Sequence, residues 1–333
     1  MITVGLIGLG GMGLMHYSCY LEMKDSVKII AIAEGNTEKA KPFAEAAHAK
    51  LYADANALLE NERPDVIDIC LPTFLHAQFA SKAMKNGASV FIEKPVALFP
   101  EEADELLRIQ KETGAKVQVG QVVRFMRGYR YLKNLVEDKI YGKVVSGSFY
   151  RLSFRPKWAG GNLCDYKKSG TVALDMHIHD IDFIRYMMGA EPDTIEAHAA
   201  RDSEGVIQQI FATYSFGDTV ITAEGGWDFP DNFPFSAGYR VKLEQATIVF
   251  DGIQLKVYPE NGDVFEPALP EEFQGTADVG INISDMGPYY EELSYFIHEI
   301  VLNGGKEIAP LSEAVKSANV AWKEIEIAGG MKL

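Results

Sequence analysis

Residues 2–13 read ITVGLIGLGGMG, an apolar run rich in β-branched residues that is followed directly by a G-x-G-x-x-G pattern. A strand, a glycine turn and the helical stretch Met12–Met23, in this order, are typical of a unit that binds a dinucleotide. Gly8 would allow the tight turn, Gly10 would let the backbone approach a pyrophosphate, and Gly13 would let the helix pack close to the strand. We therefore predict cofactor contacts from Gly8, Leu9, Gly10, Gly11, Met12 and Gly13.

An acidic residue ends the next apolar run. Glu34 follows Lys28–Ala33, roughly 20 residues beyond the glycine turn, where a carboxylate can accept hydrogen bonds from the adenosine ribose. A carboxylate would repel a 2′-phosphate, and the following Gly35-Asn36-Thr37 supplies no cation to bind one. The sequence therefore predicts NAD as the cofactor and disfavours NADP. It also disfavours a glycine turn that binds nothing.

Residues 2–120 alternate apolar runs with helical stretches, which predicts a parallel sheet covered by helices. Asn36 and Asp54 are placed to cap helices, and Gly87 and Gly114 to end them. We predict a doubly wound α/β domain over residues 1–122. Its strands are expected at Ile2–Ile7, Lys28–Ala33, Asp65–Leu71, Ser89–Ile92 and Lys116–Val119, and its helices at Met12–Met23, Asn36–Ala47, Asp54–Glu60, Leu75–Asn86 and Pro100–Thr113.

The pattern changes after residue 122. A series of β-rich runs between Thr194 and Tyr258, separated by turns such as Asp251-Gly252, predicts a mostly antiparallel sheet with helices on one face. We assign residues 123–333 to this second, α+β domain. Its long first strand is expected at Lys143–Phe154, and its helices at Arg130–Asp138, Leu174–Met188, Tyr289–Asn303 and Leu311–Ala328.

Length and composition agree with two water-soluble domains. The 333 residues carry a formal charge of −15, which argues against a nucleic-acid partner. The three cysteines are scattered and odd in number, so neither disulfides nor zinc is indicated. No apolar run is long enough to cross a membrane, and residues 1–13 do not resemble a signal peptide. We therefore expect a cytoplasmic protein with no membrane partner.

The densest polar cluster of the second domain is the segment DMHIHDID, residues 175–182. Asp175 and His179 are four residues apart, so a helix places them on one face. A histidine beside a carboxylate can titrate near neutrality, as a general base for an alcohol proton must. The same residues could instead form a helix cap and a core histidine, or hold a metal. His177 and His179 lie two apart and cannot both face one ion on a regular helix, so we predict no metal.

Two further motifs end predicted parallel strands, where open α/β sheets bind ligands. Cys70-Leu71-Pro72-Thr73 ends one strand and Glu93-Lys94-Pro95 ends the next. Taken alone, a lysine such as Lys94 in a turn is usually a solvated surface residue.

Together, the glycine turn, the Cys70–Thr73 turn with His76 after it, Glu93-Lys94-Pro95 and the Asp175–His179 segment resemble the glucose-fructose oxidoreductase/inositol dehydrogenase (Gfo/Idh/MocA) family. The family pattern in the last segment is Asp-x-Gly-x-His. Here His177 replaces the glycine, which would put a bulky imidazole near the helix start. Val123 also stands where a polar residue usually precedes Arg124.

The resemblance implies an N-terminal Rossmann domain and a C-terminal domain whose open sheet forms oligomer interfaces. It implies a catalytic set of Lys94, Asp175 and His179, with Arg124 near the substrate. We expect cofactor contacts also from Leu71, Pro72, Thr73, His76, Glu93 and Lys94. The irregular segment 155–169, with Arg155, Trp158, Asn162 and Tyr166, is expected to shape the substrate pocket.

The expected activity is hydride transfer between a nicotinamide cofactor and a secondary alcohol of a sugar, inositol or related polyol. His179 would act as general acid/base, Lys94 as donor to the reacting oxygen, and Asp175 as the orienting carboxylate. We expect a homodimer or homotetramer. A non-catalytic NAD-binding sensor of the same fold is the alternative, since fold does not fix function. A metal-dependent hydrolase is disfavoured by the histidine spacing.

Overall fold

The computed structural model describes residues 1–155, 165–279 and 285–330, and the chain divides into two compact units. The first unit joins Met1–Val122 to Glu272–Val315, and the second joins Val123–Glu271 to Lys316–Leu333. The predicted domain ranges share the division at residue 122 and differ over residues 272–315. These residues pack with the first unit: the Lys116 ammonium donates to the Ile300 carbonyl at 2.7 Å, and Val119 N donates to the Ala309 carbonyl at 3.0 Å.

In its described residues the first unit contains a six-stranded, entirely parallel sheet in the order β3-β2-β1-β4-β5-β6. The predicted doubly wound domain is confirmed. The short strand β3 was not predicted, because three residues are too few to show an alternating pattern. The strands are β1 (Ile2–Ile7), β2 (Val27–Ala33), β3 (Lys50–Tyr52), β4 (Val66–Ile69), β5 (Ser89–Ile92) and β6 (Val117–Val119).

The helices of the first unit begin and end where local chemistry requires it. Asn36 Oδ1 accepts from Lys39 N, and Asp54 Oδ1 accepts from the backbone of Asn56 and Ala57, so both predicted caps are confirmed. Gly114 ends a helix in the left-handed conformation. The helices are α1 (Gly11–Glu22), α2 (Thr37–Ala46), α3 (Ala55–Asn61), α4 (His76–Lys85), α5 (Pro100–Thr113) and, returning late in the chain, α9 (Gly287–Tyr295) with the π-helical turn Phe296–Leu302.

The second unit is built on a seven-stranded sheet of the described residues, in the order β13-β12-β11-β7-β10-β9-β8. All neighbours are antiparallel except β7 and β10, so the predicted mostly antiparallel sheet is confirmed. The strands are β7 (Val144–Phe154), β8 (Thr194–Arg201), β9 (Ile207–Phe216), β10 (Thr219–Phe229), β11 (Ser236–Leu243), β12 (Ala246–Phe250) and β13 (Leu255–Pro259). The remaining helices are α6 (Arg127–Glu137), α7 (Tyr166–Ser169), α8 (Ile178–Met188) and α10 (Leu311–Ile327).

The helix predicted at Leu174–Met188 starts as a wider π-helical turn, Ala173–His177, before it continues as α8. Two residues of positive φ precede it, Gly170 at 76° and Thr171 at 73°. Positive φ in a β-branched residue is strained, so the surrounding packing must hold Thr171 in place. π-helical turns occur often at functional sites. Among the described residues, no helix is long and apolar enough to cross a membrane.

Candidate active site

The glycine turn between β1 and α1 leaves the start of the helix open. A Cβ built on Gly8 would lie 2.5 Å from the Cys70 carbonyl oxygen, and one on Gly13 would lie 2.1 Å from the Gly8 carbonyl oxygen. A Cβ on Gly10 meets nothing within 4 Å. Gly8 and Gly13 are therefore needed for the close packing of strand and helix, whereas Gly10 borders open space where a pyrophosphate could approach the helix N-terminus.

Glu34, half-buried at the end of β2, binds the glycine turn directly. Its Oε2 accepts from Leu9 N at 2.8 Å and its Oε1 accepts from Asn36 N at 2.9 Å. Each carboxylate oxygen keeps a second lone pair, so hydroxyl donors can still bind there. The Lys39 ammonium, from the first turn of α2, donates to the Leu9 carbonyl at 3.3 Å. A cation therefore lies beside the glycine turn, which inspection of residues 35–37 alone did not reveal.

These groups surround a cleft of about 380 Å³ within the first unit. Most of its wall is apolar side chain and backbone, and Glu34 and Asp54 supply its carboxylates. This composition suits the adenosine end of a dinucleotide, which needs an apolar slot and a few placed polar groups. Of the predicted cofactor-binding residues, the cleft is lined by Gly8, Gly10, Glu34, Leu71 and Pro72.

His76 holds two loops of the first unit together. Its Nε2 lies 2.6 Å from the Leu71 carbonyl oxygen and its Nδ1 lies 2.7 Å from the Pro95 carbonyl oxygen. The side chains of His76 and Thr73 are buried. His76 therefore joins the loop after β4 to the loop after β5 rather than lining the cleft.

Lys94 follows β5 and is half-exposed between two buried neighbours, Glu93 and Pro95. The Glu93 carboxylate accepts from Lys94 N at 3.1 Å, and the Lys94–Pro95 peptide bond is cis. The turn thus presents the Lys94 side chain while its neighbours are held inside. An ammonium in this place can donate to an oxygen that develops negative charge.

In the second unit, the segment Val172–Arg185 is buried except at two positions, Asp175 and His179. The predicted pair therefore shares the accessible side of this segment. A carboxylate and an imidazole presented in this way can orient hydroxyl groups and exchange a proton with them.

The other side of the same segment is held by buried charges. Asp180 accepts twice from Arg151, from Nε at 3.1 Å and from Nη2 at 3.0 Å. Arg151 is also 3.3 Å from the Tyr129 hydroxyl oxygen, and burial raises the pKa of Tyr129. Buried charges require such pairing, since an isolated one would be very costly. The pairs fix the orientation of the helix.

Arg124 belongs to the same set of buried charges. It donates from Nε and Nη2 to the two oxygens of Asp182, both at 2.7 Å, and lies over the Tyr186 ring at 4.5 Å. Asp182 also accepts from Ser317 Oγ at 2.8 Å. Arg124 is 3% exposed. The predicted contact of Arg124 with substrate stays a prediction, and its burial indicates a supporting role for α8.

His177 points into the core. Its Nε2 lies 3.2 Å from Glu324 Oε2, and the Tyr214 hydroxyl donates to Glu324 Oε1 at 2.6 Å. A Cβ built on Gly225 of β10 would lie 2.7 Å from the His177 Cβ. The imidazole therefore stands at the helix start, as expected, and occupies space that a glycine in the sheet leaves for it in the core.

Several residues of the sites were missed by sequence reasoning. Lys39 was overlooked because the search for cations ended at Thr37. Arg151, Gly225 and Glu324 carry no local signal, because their partners are distant in the chain. Trp158 and Asn162, expected to shape the substrate pocket, lie outside the described residues, and nothing is described of the Tyr166 side chain.

Two family models match the chain. One, described as an oxidoreductase family with an NAD-binding Rossmann fold, matches residues 2–121. The other, described as the Gfo/Idh/MocA C-terminal domain, matches residues 129–249. Together they cover both the glycine-turn cleft and the helix that carries Asp175 and His179.

Curated proteins with related sequences include enzymes of two kinds. A 2,7-anhydro-N-acetylneuraminate hydratase of Escherichia coli is 25% identical over 73% of this chain and 67% of its own length. A scyllo-inositol 2-dehydrogenase (NAD(+)) of Bacillus subtilis is 30% identical over 59% of this chain and 57% of its own length. A myo-inositol 2-dehydrogenase of Thermotoga maritima is 31% identical over 59% of this chain and 58% of its own length.

Solved structures share the fold over nearly the whole chain. A levoglucosan dehydrogenase in complex with NADH and levoglucosan superposes with a TM-score of 0.83 at 21% identity, covering 98% of this chain and 97% of the other. An oxidoreductase of Agrobacterium radiobacter in complex with NAD+, L-tartaric acid and magnesium gives 0.84 at 18% identity, covering 98% and 96%. At these identities the likeness shows the fold alone.

Proposed function

The chain belongs to the Gfo/Idh/MocA family of oxidoreductases with an NAD-binding Rossmann fold, and from this premise we propose that it transfers a hydride between a nicotinamide cofactor and a secondary alcohol of a sugar, inositol or related polyol. The observation that carries the proposal is the exposure pattern of residues 172–185. In this otherwise buried stretch, only the carboxylate Asp175 and the imidazole His179 reach the accessible side. Lys94 is the half-exposed cation of the first unit's Glu93-Lys94-Pro95 turn.

The first unit fits a dinucleotide. Open space at Gly10, the uncapped start of α1 and the carboxylate of Glu34 in the cleft wall match what a pyrophosphate and a ribose require. When bound, the nicotinamide supplies the hydride acceptor or donor. We propose NAD as the preferred cofactor because of Glu34. The ammonium of Lys39, beside the glycine turn, would weaken the repulsion between Glu34 and the 2′-phosphate of NADP.

The acid/base work falls to side chains of the chain itself. His179 takes the proton of the substrate hydroxyl during oxidation and returns it during reduction. The Lys94 ammonium donates a hydrogen bond to the reacting oxygen as its charge develops. Asp175 accepts from substrate hydroxyls and stabilises the charged form of His179. Arg124 and Trp158 remain the proposed further substrate contacts, with the Asp182 pairing of Arg124 favouring an indirect effect.

The curated relatives suggest two competing activities, hydration and alcohol oxidation. Two of the curated relatives are hydratases, and a hydration reaction has no net oxidation of substrate. We favour net alcohol oxidation because relatives matching at 30% and 31% identity are inositol dehydrogenases. A non-catalytic NAD-binding sensor does not require acid/base groups, so the accessible Asp175 and His179 favour the enzyme.

The uncovered face of the second sheet supports the expected homo-oligomer. Glu196 and Glu224 lie on this face towards β8, and Arg240 and Lys256 lie on it towards the β13 edge. Phe211, on the same face, is 42% exposed. A twofold axis lying in the interface, parallel to the strands, would set the acidic half of one copy against the basic half of the other, which is the self-complementarity of an isologous dimer. We propose this face as the homodimer interface.

The experiment is a screen of polyols and sugars with NAD, followed by single-turnover hydride transfer on the best substrate. Removing a positioned acid/base group costs roughly 10²–10⁴-fold in rate, so His179→Ala should slow transfer by that factor while NAD still binds. Lys94→Ala should also slow it and weaken cofactor or substrate binding. His298→Ala and Lys85→Ala, which change the same residue types away from the site, are the controls.

Each competing proposal gives a different result. A hydratase would convert substrate without accumulating reduced cofactor. A sensor would bind NAD and show no turnover on any substrate. Equal single-turnover rates in the wild type, His179→Ala and Lys94→Ala would overturn the catalytic assignment and leave only the cofactor site.

A further inference from the structure

A buried polar cluster lies against the glycine turn of the first unit. His16 of α1 places Nδ1 2.9 Å from Asp68 Oδ2 and 3.1 Å from Cys70 Sγ, and Nε2 3.2 Å from Glu93 Oε1. The Tyr20 hydroxyl donates to the same Asp68 oxygen at 2.9 Å. His16 and Asp68 have no exposed surface and Glu93 is 6% exposed. The reaction proposed above gives this cluster no role.

Two buried carboxylates face the two nitrogens of one imidazole. Asp68 faces Nδ1 and Glu93 faces Nε2. A neutral imidazole carries one N–H, so it could donate to one of these carboxylates only, and the other nitrogen lone pair would face a buried negative charge. An imidazolium donates from Nδ1 to Asp68, and its positive charge pairs with the Glu93 carboxylate 3.2 Å from Nε2, an ion-pair contact rather than an aligned hydrogen bond. The protonated form of His16 is therefore the one that this arrangement stabilises.

The Glu93 carboxylate connects this histidine to the Lys94 turn. Its Oε1 faces His16, and its Oε2 accepts from Lys94 N at 3.1 Å. The carboxylate lies so close to Gly120 that a Cβ built there would be 3.1 Å from Glu93 Cδ. On the far side of the turn, His76 binds the Pro95 carbonyl. The backbone that carries the Lys94 side chain is thus fixed from two sides, and His16 is the charged contact on one of them.

We propose that His16 is a positioning residue for Lys94: as an imidazolium it binds Asp68 and Glu93 together, and so it fixes the carboxylate that orients the Lys94 turn. The proposal rests on the role of Lys94 proposed above. It assigns His16 no contact with substrate or cofactor.

The groups around His16 decide whether its contribution to stability rises or falls with pH. Burial by itself lowers the pKa of His16, but Asp68 and Cys70 raise it by more, so the pKa lies well above 6.5. A folded pKa above the unfolded one gives stabilisation that is complete below about pH 6.5 and is lost as the pH rises through the folded pKa. The titratable groups close to the imidazole are Asp68 and Cys70 from the end of β4, Glu93 after β5, and Cys19 and Tyr20 on α1. Helix α9, packed on α1, adds the buried Glu292, which interacts electrostatically with Cys19.

The first test is the protonation state of His16 in the whole protein. Histidines labelled with ¹³C at Cε1 are titrated by NMR, and the His16 signal is assigned by its loss in His16→Gln. We expect His16 to remain an imidazolium at pH 7.5, when exposed histidines are neutral. This readout does not require turnover, so it stands even if the proposed activity fails. A neutral His16 at pH 7.5 would overturn the proposal.

The second test measures function in His16→Gln, with His298→Gln as the matched control in the same unit. A misplacement of about 1 Å can cost on the order of 10²-fold, so we expect kcat to fall roughly 10- to 100-fold. NAD affinity should change by less than about threefold, because the cleft contacts remain. Because deprotonation of His16 would loosen the Lys94 turn, we expect the kcat of the wild type to fall at alkaline pH, and this fall should disappear in His16→Gln and persist in His298→Gln. A purely structural histidine would lower stability and leave kcat and its pH profile unchanged.

A third variant keeps the proposal testable if His16→Gln does not fold. In Glu93→Gln the amide can donate to Nε2 of a neutral imidazole, so the imidazolium is no longer required. The alkaline decline in thermal stability that we expect of the wild type should therefore be smaller in this variant, and the part due to Asp68 and Cys70 should remain. An unchanged decline in Glu93→Gln, or a stoichiometric metal ion retained by the purified wild type at this cluster, would overturn the proposal.

Discussion

In the first unit, the cleft at the glycine turn is lined mostly by apolar side chains and by three glycines, with Glu34 binding the turn from the next strand. In the second unit, Asp175 and His179 stand on a helix whose inner side is held by charges: Arg151 on Asp180, and Glu324 on His177. Ligand access to the cleft depends on open space, whereas the orientation of the helix depends on buried charges. A change of charge should therefore affect folding at Asp180 of the second unit and ligand binding at the cleft of the first.

The largest expected effect is on the free energy of unfolding. It is tested by replacing one carboxylate with an amide in each unit. Asp180→Asn leaves the buried Arg151 without its counter-charge, and breaking a buried pair in this way costs roughly 3–5 kcal/mol. Glu34→Gln, at a half-exposed position, should cost about 1 kcal/mol or less. Urea denaturation gives both free energies of unfolding. Similar losses in the two variants would contradict the comparison.

The next effect concerns space inside the second unit. Gly225→Ala puts a methyl group 2.7 Å from the His177 Cβ, and overpacking of this kind costs roughly 1–3 kcal/mol. In a His177→Gly background the same substitution should cost almost nothing, because the obstructing group is gone. The double-mutant cycle measures this coupling.

Gly147→Ala is the control for that cycle. Gly147 lies in β7 of the same sheet, where an added Cβ would meet its neighbours at 3.4 Å, an ordinary contact. We expect its cost to be the same with and without His177. If Gly225→Ala remains equally costly in the His177→Gly background, the imidazole is not what requires the glycine.

The smallest effect is on the choice between NAD and NADP. Glu34→Ala removes a charged acceptor for the ribose hydroxyls, so NAD binding should weaken about tenfold. The preference for NAD over NADP should become smaller. Lys39→Ala should weaken NADP more than NAD, since its ammonium lies beside the glycine turn. Titration calorimetry of both cofactors with both variants checks this. Tighter binding of NADP than of NAD by the wild type would show that the ribose assignment is wrong.

Features that depend on residues close together in the chain could be predicted from the sequence. The apolar run and glycines of residues 2–13 fix a strand, a turn and a helix, because hydrophobic periodicity and the lack of a Cβ act locally. The caps at Asn36 and Asp54 follow from side chains that reach backbone two or three residues ahead. The half-exposed pair Asp175 and His179 follows from helical spacing. Lys94 was different, because local reasoning alone indicated a solvated surface lysine and the family resemblance singled it out.

The tertiary structure decided what depends on residues far apart in the chain. The packing of residues 272–315 on the first unit, the π-helical turn before α8 and the pairing of Asp180 with Arg151 leave no local pattern. His177 shows the difference most clearly. The sequence presents an imidazole in place of a small residue, and only the fold shows that Gly225 leaves the space for it. Long-range contacts are selected by close packing and by the cost of an unpaired buried charge, and neither acts on one segment alone.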